Sequence, residues 1–258
     1  MNFLAHMFTS GYSISTVAAH ASALAYIHKG LGFKDFSDSF LVKQFLKGAN
    51  NTKSAAPDTR LPITWDMLQQ IVAAIPTTVK LYMQQVIFTA MCLLAFHAFL
   101  RIGEMCSKSS TTENNVIQRQ DVHFIVDETG VSGIELTFRR FKHSSHPVTL
   151  FLAQSTTKGM CPVHALQNYL NSSSHRNGPL FQLPNGQAVS YDFFNGHLKN
   201  VIGFLGLDTN LYKSHSFRIG AATHATMQGH SADQIKKMGR WKSNALERYV
   251  RLPRISLP

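Results

Sequence analysis

The sequence predicts a mainly α-helical protein carrying one small three-stranded antiparallel sheet. Three observations predict it. Apolar residues recur at helical spacing early and late in the chain, whereas between Asn115 and Leu152 the spacing falls to two. The segment NNTKSAAPDTRLP, Asn50 to Pro62, has two prolines and no apolar periodicity, as an extended linker does, and it separates a small helical part from a larger mixed one. With 258 residues, 44% of them hydrophobic, the chain is long enough for two unequal domains.

From Ser13 to Lys29, the residues Val17, Ala21, Leu24 and His28 form one stripe of a helix that Gly30 and Gly32 stop. A second helix is expected from Ser39 to Leu46, with Phe40, Val42, Phe45 and Leu46 apolar and Gly48 at its end. The unit these two make opens abruptly, as if an earlier helix were missing. Beyond the linker, Thr64 caps a helix running to about Ala74, with Met67, Leu68, Ile71 and Val72 inward, and a long apolar helix fills roughly Lys80 to Leu100. Three strands follow, marked by Val122, Phe124 and Val126, by Ile134, Leu136 and Phe138, and by Val148, Leu150 and Leu152. Helices return at Pro162 to Leu170, Tyr191 to Leu205, His215 to Met227, Ser231 to Met238 and Ser243 to Arg251.

Acidic residues are scarce: 25 Lys and Arg face 14 Asp and Glu, a formal charge of +11 with a pI near 9.7. Such an excess favours a polyanionic partner, and nucleic acid, an anionic membrane surface and an acidic protein would all satisfy it. It is concentrated near the end, where Lys236, Lys237, Arg240, Lys242, Arg248, Arg251 and Arg254 face the single acid Glu247. A solvated face has the same composition. Cys92, Cys106 and Cys161 are odd in number and widely spaced, and read as reduced thiols of an intracellular protein. None of the 13 histidines forms an HExxH or a Cys/His knuckle, so neither a metal nor a cofactor is implied. The most apolar run, Val86 to Leu100, contains His97 and is shorter than a bilayer span, and the N-terminus lacks a secretory signal. A soluble protein is expected.

The local strings with chemical content are SHSFRIGAATHA and MGRWKSNALERYVR. His215 and Arg218, three apart at a helix start, share a face beside a partly positive helix N-terminus, which suits a phosphate clamp. A capped helix with an exposed His and Arg reads the same way. Gly229 ends that helix, Ser231 and Gln234 form a capping box for the next, and Gly239 ends it in turn. Trp241, Ala245 and Tyr249 then recur every four residues on one face of the last helix. That face could simply be buried, or the two short helices could form a DNA-reading helix-turn-helix.

Taken together, H-x-x-R followed by G-R-W-x-S-x-A-x-x-x-Y resembles the C-terminal boxes of tyrosine recombinases, especially the eukaryotic DIRS-like and Crypton-like mobile-element branch. Upstream strings agree in order. LLAFHAFLRIGEM, residues 93 to 105, is similar to the family's first arginine box, FRRFKHSSH places Lys142 at a turn between strands, and MCPVHALQNYL is similar to the helix after the sheet. The resemblance covers nearly the whole chain. It implies a helical, SAM-like core-binding domain over residues 1–50, shortened at its start, a linker over 51–63 that includes DTRLPIT up to Ile63, and an α+β catalytic domain over 64–258.

The same resemblance implies a site-specific recombinase or integrase that cleaves and rejoins DNA through a 3′-phosphotyrosyl intermediate without metal or ATP. Tyr249 would be the nucleophile, Arg101 and Arg218 the phosphate clamps, Lys142 the acid for the leaving 5′-hydroxyl, and His215 a proton-transfer partner. Most family members carry His or Trp nine residues before the tyrosine. Here that position is Arg240 and the tryptophan is Trp241, so either could take the role. Arg240, Arg139, Arg140 and Lys242 are expected to contact DNA phosphates, with Glu104 supporting Arg101. Partners implied are double-stranded DNA and further copies of the chain, as a tetramer on DNA, with neither a membrane nor a small-molecule substrate; the setting is intracellular, nuclear in a eukaryote. Two alternatives stand beside this reading: a type IB topoisomerase-like relaxing enzyme, and a domesticated DNA-binding protein without catalysis.

Overall fold

The computed structural model describes residues 2–52, 58–108, 115–128, 130–139, 146–241, 246 and 249–251, and the chain divides into two units, Met1–Thr59 and Arg60–Pro258. The smaller unit holds α1 (Asn2–Thr9), α2 (Ile14–Gly30) and α3 (Phe40–Thr52). Where the sequence reading placed no helix at the start, Leu4 and Met7 give α1 a buried edge that packs with Val17, Ala21 and Val42. Ser13 caps α2 by accepting the Thr16 N–H at 3.2 Å. Gly48 does not end α3; a helical glycine costs only about 1 kcal/mol against alanine. The helix continues to Thr52, whose Oγ1 donates to the Gly48 carbonyl at 2.7 Å, so residues 51 and 52 are helical.

In the larger unit the chain enters extended, with the Leu61 N–H donating to the Leu211 carbonyl at 2.9 Å and the Ile63 N–H to that of Ser216 at 3.0 Å. Thr64 caps α4 (Trp65–Thr78) through the Met67 N–H at 3.3 Å. This helix runs past Ala74 and takes Pro76 into its last turn, where the Gln85 amide donates to the Val79 carbonyl at 2.7 Å. Next comes α5 (Tyr82–His97), buried almost all round from Val86 to Phe96. Each large apolar side chain so enclosed contributes roughly 1.5–3 kcal/mol, which makes α5 the pillar of the core.

The sheet has the order β1 (Val122–Asp127), β2 (Gly130–Phe138), β3 (Val148–Ala153), antiparallel throughout. Ile134, Leu136 and Phe138 line its buried face, opposite Leu152, Leu150 and Val148 on β3. Val126 breaks the expected alternation. A register shift between Ile125 and Val126 turns its side chain outward, 67% exposed, because an extra residue in one strand reverses which face follows.

The remaining helices are α6 (Ile102–Met105), between α5 and the sheet, then α7 (Pro162–Ser172), α8 (Tyr191–Phe204), α9 (Ser214–Met227) and α10 (Ala232–Gly239). At the centre, α9 is buried from Ser216 to Thr223 and packs on α5 and α10. It comes so close to the incoming strand that a Cβ on Gly220 would run into the Ile63 carbonyl. The Ser231 and Gln234 capping box of α10 forms as the sequence suggests, with bonds of 3.3 and 2.7 Å. The expected helix from Ser243 to Arg251 falls largely outside the described residues; within them, the Tyr249 and Val250 N–H groups both donate to the Leu246 carbonyl, closing one turn.

Candidate active site

Two helix ends build the floor of the site. After α5 the chain does not stay helical to Leu100. Phe99 enters the left-handed region (φ 52°), the Phe99 N–H donates to the Phe96 carbonyl and the Leu100 N–H to that of Ala95. The end of α10 repeats this geometry at Arg240 (φ 54°), with Arg240 N–H to Lys237 and Trp241 N–H to Lys236. Both are Schellman caps, in which glycine normally takes the left-handed position. A side chain there costs roughly 1–2 kcal/mol, and among the described residues Phe99 and Arg240 are the two that bear it without being glycine. Gly239, expected as the stop, is the last helical residue. It must be glycine because a Cβ would run into the Trp241 ring.

Arg218, from the second turn of α9, ties these two caps together. Its Nη1 donates to the Phe99 carbonyl and its Nη2 to that of Gly239. The side chain is fully buried, lies over the Trp241 ring with 4.2 Å to the centroid, and stands 5.7 Å from the Tyr249 centroid. Burial first, then the nearby Arg101 and Arg240 charges, push its guanidinium down to about 9. It therefore keeps its charge at neutral pH.

Arg101 follows the first cap directly and Glu104 is one turn further on, in α6. Glu104 accepts the Arg101 N–H at 2.9 Å and Arg101 Nη1 at 3.1 Å, and it also accepts Arg240 Nη2 at 2.9 Å. Arg240 Nη1 reaches the Ala98 carbonyl at 3.2 Å, and its guanidinium lies 3.9 Å from the Phe138 ring centroid. Two guanidiniums thus bond one carboxylate, and the Arg218 guanidinium feels the charges of all three groups. Buried cations without full compensation are costly, and the geometry suits an anion bound beside them. Orphan donors point the same way: Arg218 Nε, Arg240 Nε and Trp241 Nε1 are buried without a hydrogen-bond partner.

His215, in the first turn of α9, stands with its ring 5.0 Å from that of Tyr249, and the Trp241 ring is 4.9 Å from Tyr249 on another side. The phenol segment is anchored from α9: Thr223 Oγ1 accepts the Arg251 N–H at 3.0 Å and donates to the Tyr249 carbonyl at 3.4 Å. Trp241 and Tyr249 meet, but not along a shared helix face. Trp241 stands just outside α10, turned by the left-handed Arg240.

The structure therefore brings Arg101, Glu104, His215, Arg218, Arg240, Trp241 and Tyr249 together. Arg240 departs from its expected place on a phosphate: its side chain is 2% exposed and its Nη groups are bonded inward. Arg139 is placed to one side, 58% exposed, with its Nε donating to Asp121. It borders a cavity of about 360 Å³ that Glu104 also lines. Lys142, Arg140 and Lys242 lie outside the described residues. Sequence reasoning missed Thr223 and the two cap carbonyls; a threonine five residues after the arginine carries no signal of its own, and a backbone carbonyl carries none at all.

The fold is that of tyrosine recombinases. Among solved structures it is similar to the XerH site-specific recombinase in a post-cleavage complex with its palindromic difH substrate, at a TM-score of 0.65 and 16% identity, covering 97% of this chain and 66% of that one. The chain thus spans slightly under two thirds of that recombinase. It is also similar to the Tn1549 transposon integrase in complex with circular intermediate DNA (TM-score 0.56, 13% identity, 98% and 80% covered) and to a Flpe–DNA Holliday junction complex (0.50, 15%, 81% and 53%). No family model matches the sequence, and no curated protein matches it. No helix among the described residues is long and apolar enough to cross a membrane, and no group of three or more metal-ligating side chains is present among them.

Proposed function

We propose that the chain is a site-specific DNA recombinase or integrase that breaks and rejoins strands through Tyr249. The observation that carries this reading is the gathering of Arg101, Arg218, His215, Trp241 and Tyr249 around a site rich in positive charge and orphan donors. In the reaction, Tyr249 Oη attacks the scissile phosphorus, a 3′-phosphotyrosyl bond forms and the bond to the 5′-oxygen breaks. His215 takes or relays the phenol proton, and Lys142 gives one to the leaving 5′-oxygen. A 5′-hydroxyl from another strand reverses the step. Arg101 and Arg218 balance the phosphate charge as it grows, since fixed donors in a water-poor site act more strongly than solvent. The orphan Trp241 Nε1, beside the Tyr249 ring, favours tryptophan over Arg240 as the third-box donor.

Double-stranded DNA is the proposed substrate, bound by a tetramer of this chain, with residues 1–50 as the core-binding domain, 51–63 as the linker and 64–258 as the catalytic domain. Arg139, Arg140 and Lys242 remain the proposed phosphate contacts around the site. A mobile-element origin, in the DIRS-like or Crypton-like branch, rests on the G-R-W string and is in keeping with the transposon integrase among the structural neighbours. If the protein is eukaryotic, it acts in the nucleus.

To test this, random-sequence duplexes carrying a nick are incubated with the protein, and those still attached after denaturation are recovered and sequenced. The reading expects a defined site to emerge, and Tyr249→Phe to lose the adduct while still binding it. Binding should weaken steeply with salt, because phosphate contacts release counterions. Specific binding with no adduct would leave the non-catalytic DNA-binding reading. An adduct accompanied by relaxation of supercoils without paired sites would favour the topoisomerase-like one.

A further inference from the structure

Arg240 stands where the resemblance leaves a choice between a phosphate contact and something else, and its surroundings decide. The residue occupies the left-handed position of a helix cap that glycine would fill without strain. An arginine in that position needs a reason in its side chain, and the side chain is enclosed rather than turned outward. One Nη bonds Glu104 Oε2 at 2.9 Å, the other bonds the Ala98 carbonyl at 3.2 Å, and the guanidinium stacks on Phe138, the last residue of β2. Arg240 thereby joins three parts of the unit: the end of α5, the end of β2 and the carboxylate that holds Arg101.

We infer that Arg240 is a positioning residue for strand cleavage, acting on the scissile phosphate through Glu104 and Arg101. Glu104 is buried and lies between two guanidiniums. Arg240 anchors Oε2 from the inside, together with the Arg101 N–H, which leaves Oε1 to steer the Arg101 head group. Arg101 is the more open of the two partners, with 25% of its side chain exposed. With Arg240 present, the carboxylate charge is already balanced, and Arg101 keeps its own charge for an anion. Without it, Arg101 becomes the sole cation paired with Glu104 and is drawn onto that carboxylate, away from the phosphate. The inference rests on the recombinase reading, and its test is built to fail separately.

The test compares cleavage of the duplex recovered by covalent selection with cleavage of the same duplex bearing an uncharged methylphosphonate at the scissile position. Rates for each variant are taken relative to wild type on the same substrate. Arg240→Gly, which suits the left-handed backbone, should slow cleavage of the phosphodiester about a hundredfold. On the methylphosphonate, where there is no charge for Arg101 to hold, the defect should shrink by at least tenfold. Adding Glu104→Gln to Arg240→Gly removes the unbalanced carboxylate and should restore at least tenfold on the phosphodiester, a coupling that a loss of fold would not show. Should Arg240→Gly not fold, Arg240→Lys is measured by the same two comparisons and is expected to show a smaller defect of the same pattern. An equal loss on both substrates with no rescue by Glu104→Gln, or no loss at all, would overturn the inference while leaving the recombinase reading intact. If wild type itself forms no adduct on DNA that it binds, the recombinase reading fails and the inference falls with it.

Discussion

Arg119 and Arg218 are both buried in the larger unit, and their surroundings differ in kind. Every nitrogen of Arg119 has a fixed acceptor: Nε on Gln182 Oε1 at 3.1 Å, Nη1 on the His175 carbonyl at 2.7 Å, Nη2 on Tyr169 Oη at 2.9 Å and on Ser173 Oγ at 2.7 Å. It staples the segment after α7 to the core. Arg218 has two carbonyls, an orphan Nε and two further guanidiniums nearby. The first arrangement is complete as it stands; the second becomes complete only with an anion. Burial alone thus does not mark a functional arginine, whereas incomplete hydrogen bonding next to like charges does.

Exchanging the two residues' fates should produce opposite phenotypes. Arg218→Ala is expected to lower cleavage by about a thousandfold, as removal of a principal charge-balancing donor does, measured as adduct formation on the selected nicked duplex. Arg119→Met should leave the cleavage rate per folded molecule unchanged but lower unfolding free energy by about 3 kcal/mol, because it strands four acceptors; urea denaturation reads this directly. If Arg119→Met abolished cleavage at full stability, the distinction between the two would collapse.

His97 gives a smaller effect and a useful contrast, since there burial removes the charge instead of preserving it. Its ring lies against Trp65 and Phe96, and burial, with a minor push from His224, lowers it to about 4. Between pH 6.5 and about 4 the unfolded chain binds a proton that the folded chain does not, so stability should fall as the pH drops through that window. His197 and His224 are also lowered by burial and act in the same direction. His97→Phe should flatten the pH dependence of urea midpoints, and an unchanged slope would remove His97 from the account. Smallest of all, inorganic phosphate at ten times its dissociation constant should raise unfolding free energy by about 1.4 kcal/mol, in wild type and in Arg119→Met but not in Arg218→Ala. Equal stabilisation of all three would place the anion elsewhere.

What the sequence made legible is what local chemistry determines. The Thr64 cap and the Ser231 and Gln234 box need only residues a few positions apart, and the two-residue period of Ile134, Leu136 and Phe138 needs only one buried face. The convergence of Arg101, His215, Arg218, Trp241 and Tyr249 followed from box order, not from spacing. Distant contacts were not legible. Arg240 looked like a basic surface residue because Glu104, its partner, lies 136 residues away. Trp241 and Tyr249 suggested one helix face because four-residue spacing is all that a sequence displays, whereas a left-handed cap separates Trp241 from α10. The outward turn of Val126 depends on a register shift that no residue in β1 announces. Thr223, anchoring the backbone around Tyr249, is invisible for the same reason.

Since His215, Arg218, Trp241, Thr223 and Tyr249 meet within one chain, the nucleophile should act in its own subunit; mixing Tyr249→Phe with Arg218→Ala should not restore cleavage, and restoration would show that Tyr249 is delivered to a neighbour. The central claim is tested most directly by locating the covalent bond itself. The protein is reacted with the selected nicked duplex, digested, and the nucleotide-bearing peptide is sequenced by mass spectrometry. The account predicts a DNA 3′-phosphate on Tyr249 and a free 5′-hydroxyl on the departing strand. Attachment at any other residue, or cut ends with no protein attached, would contradict it.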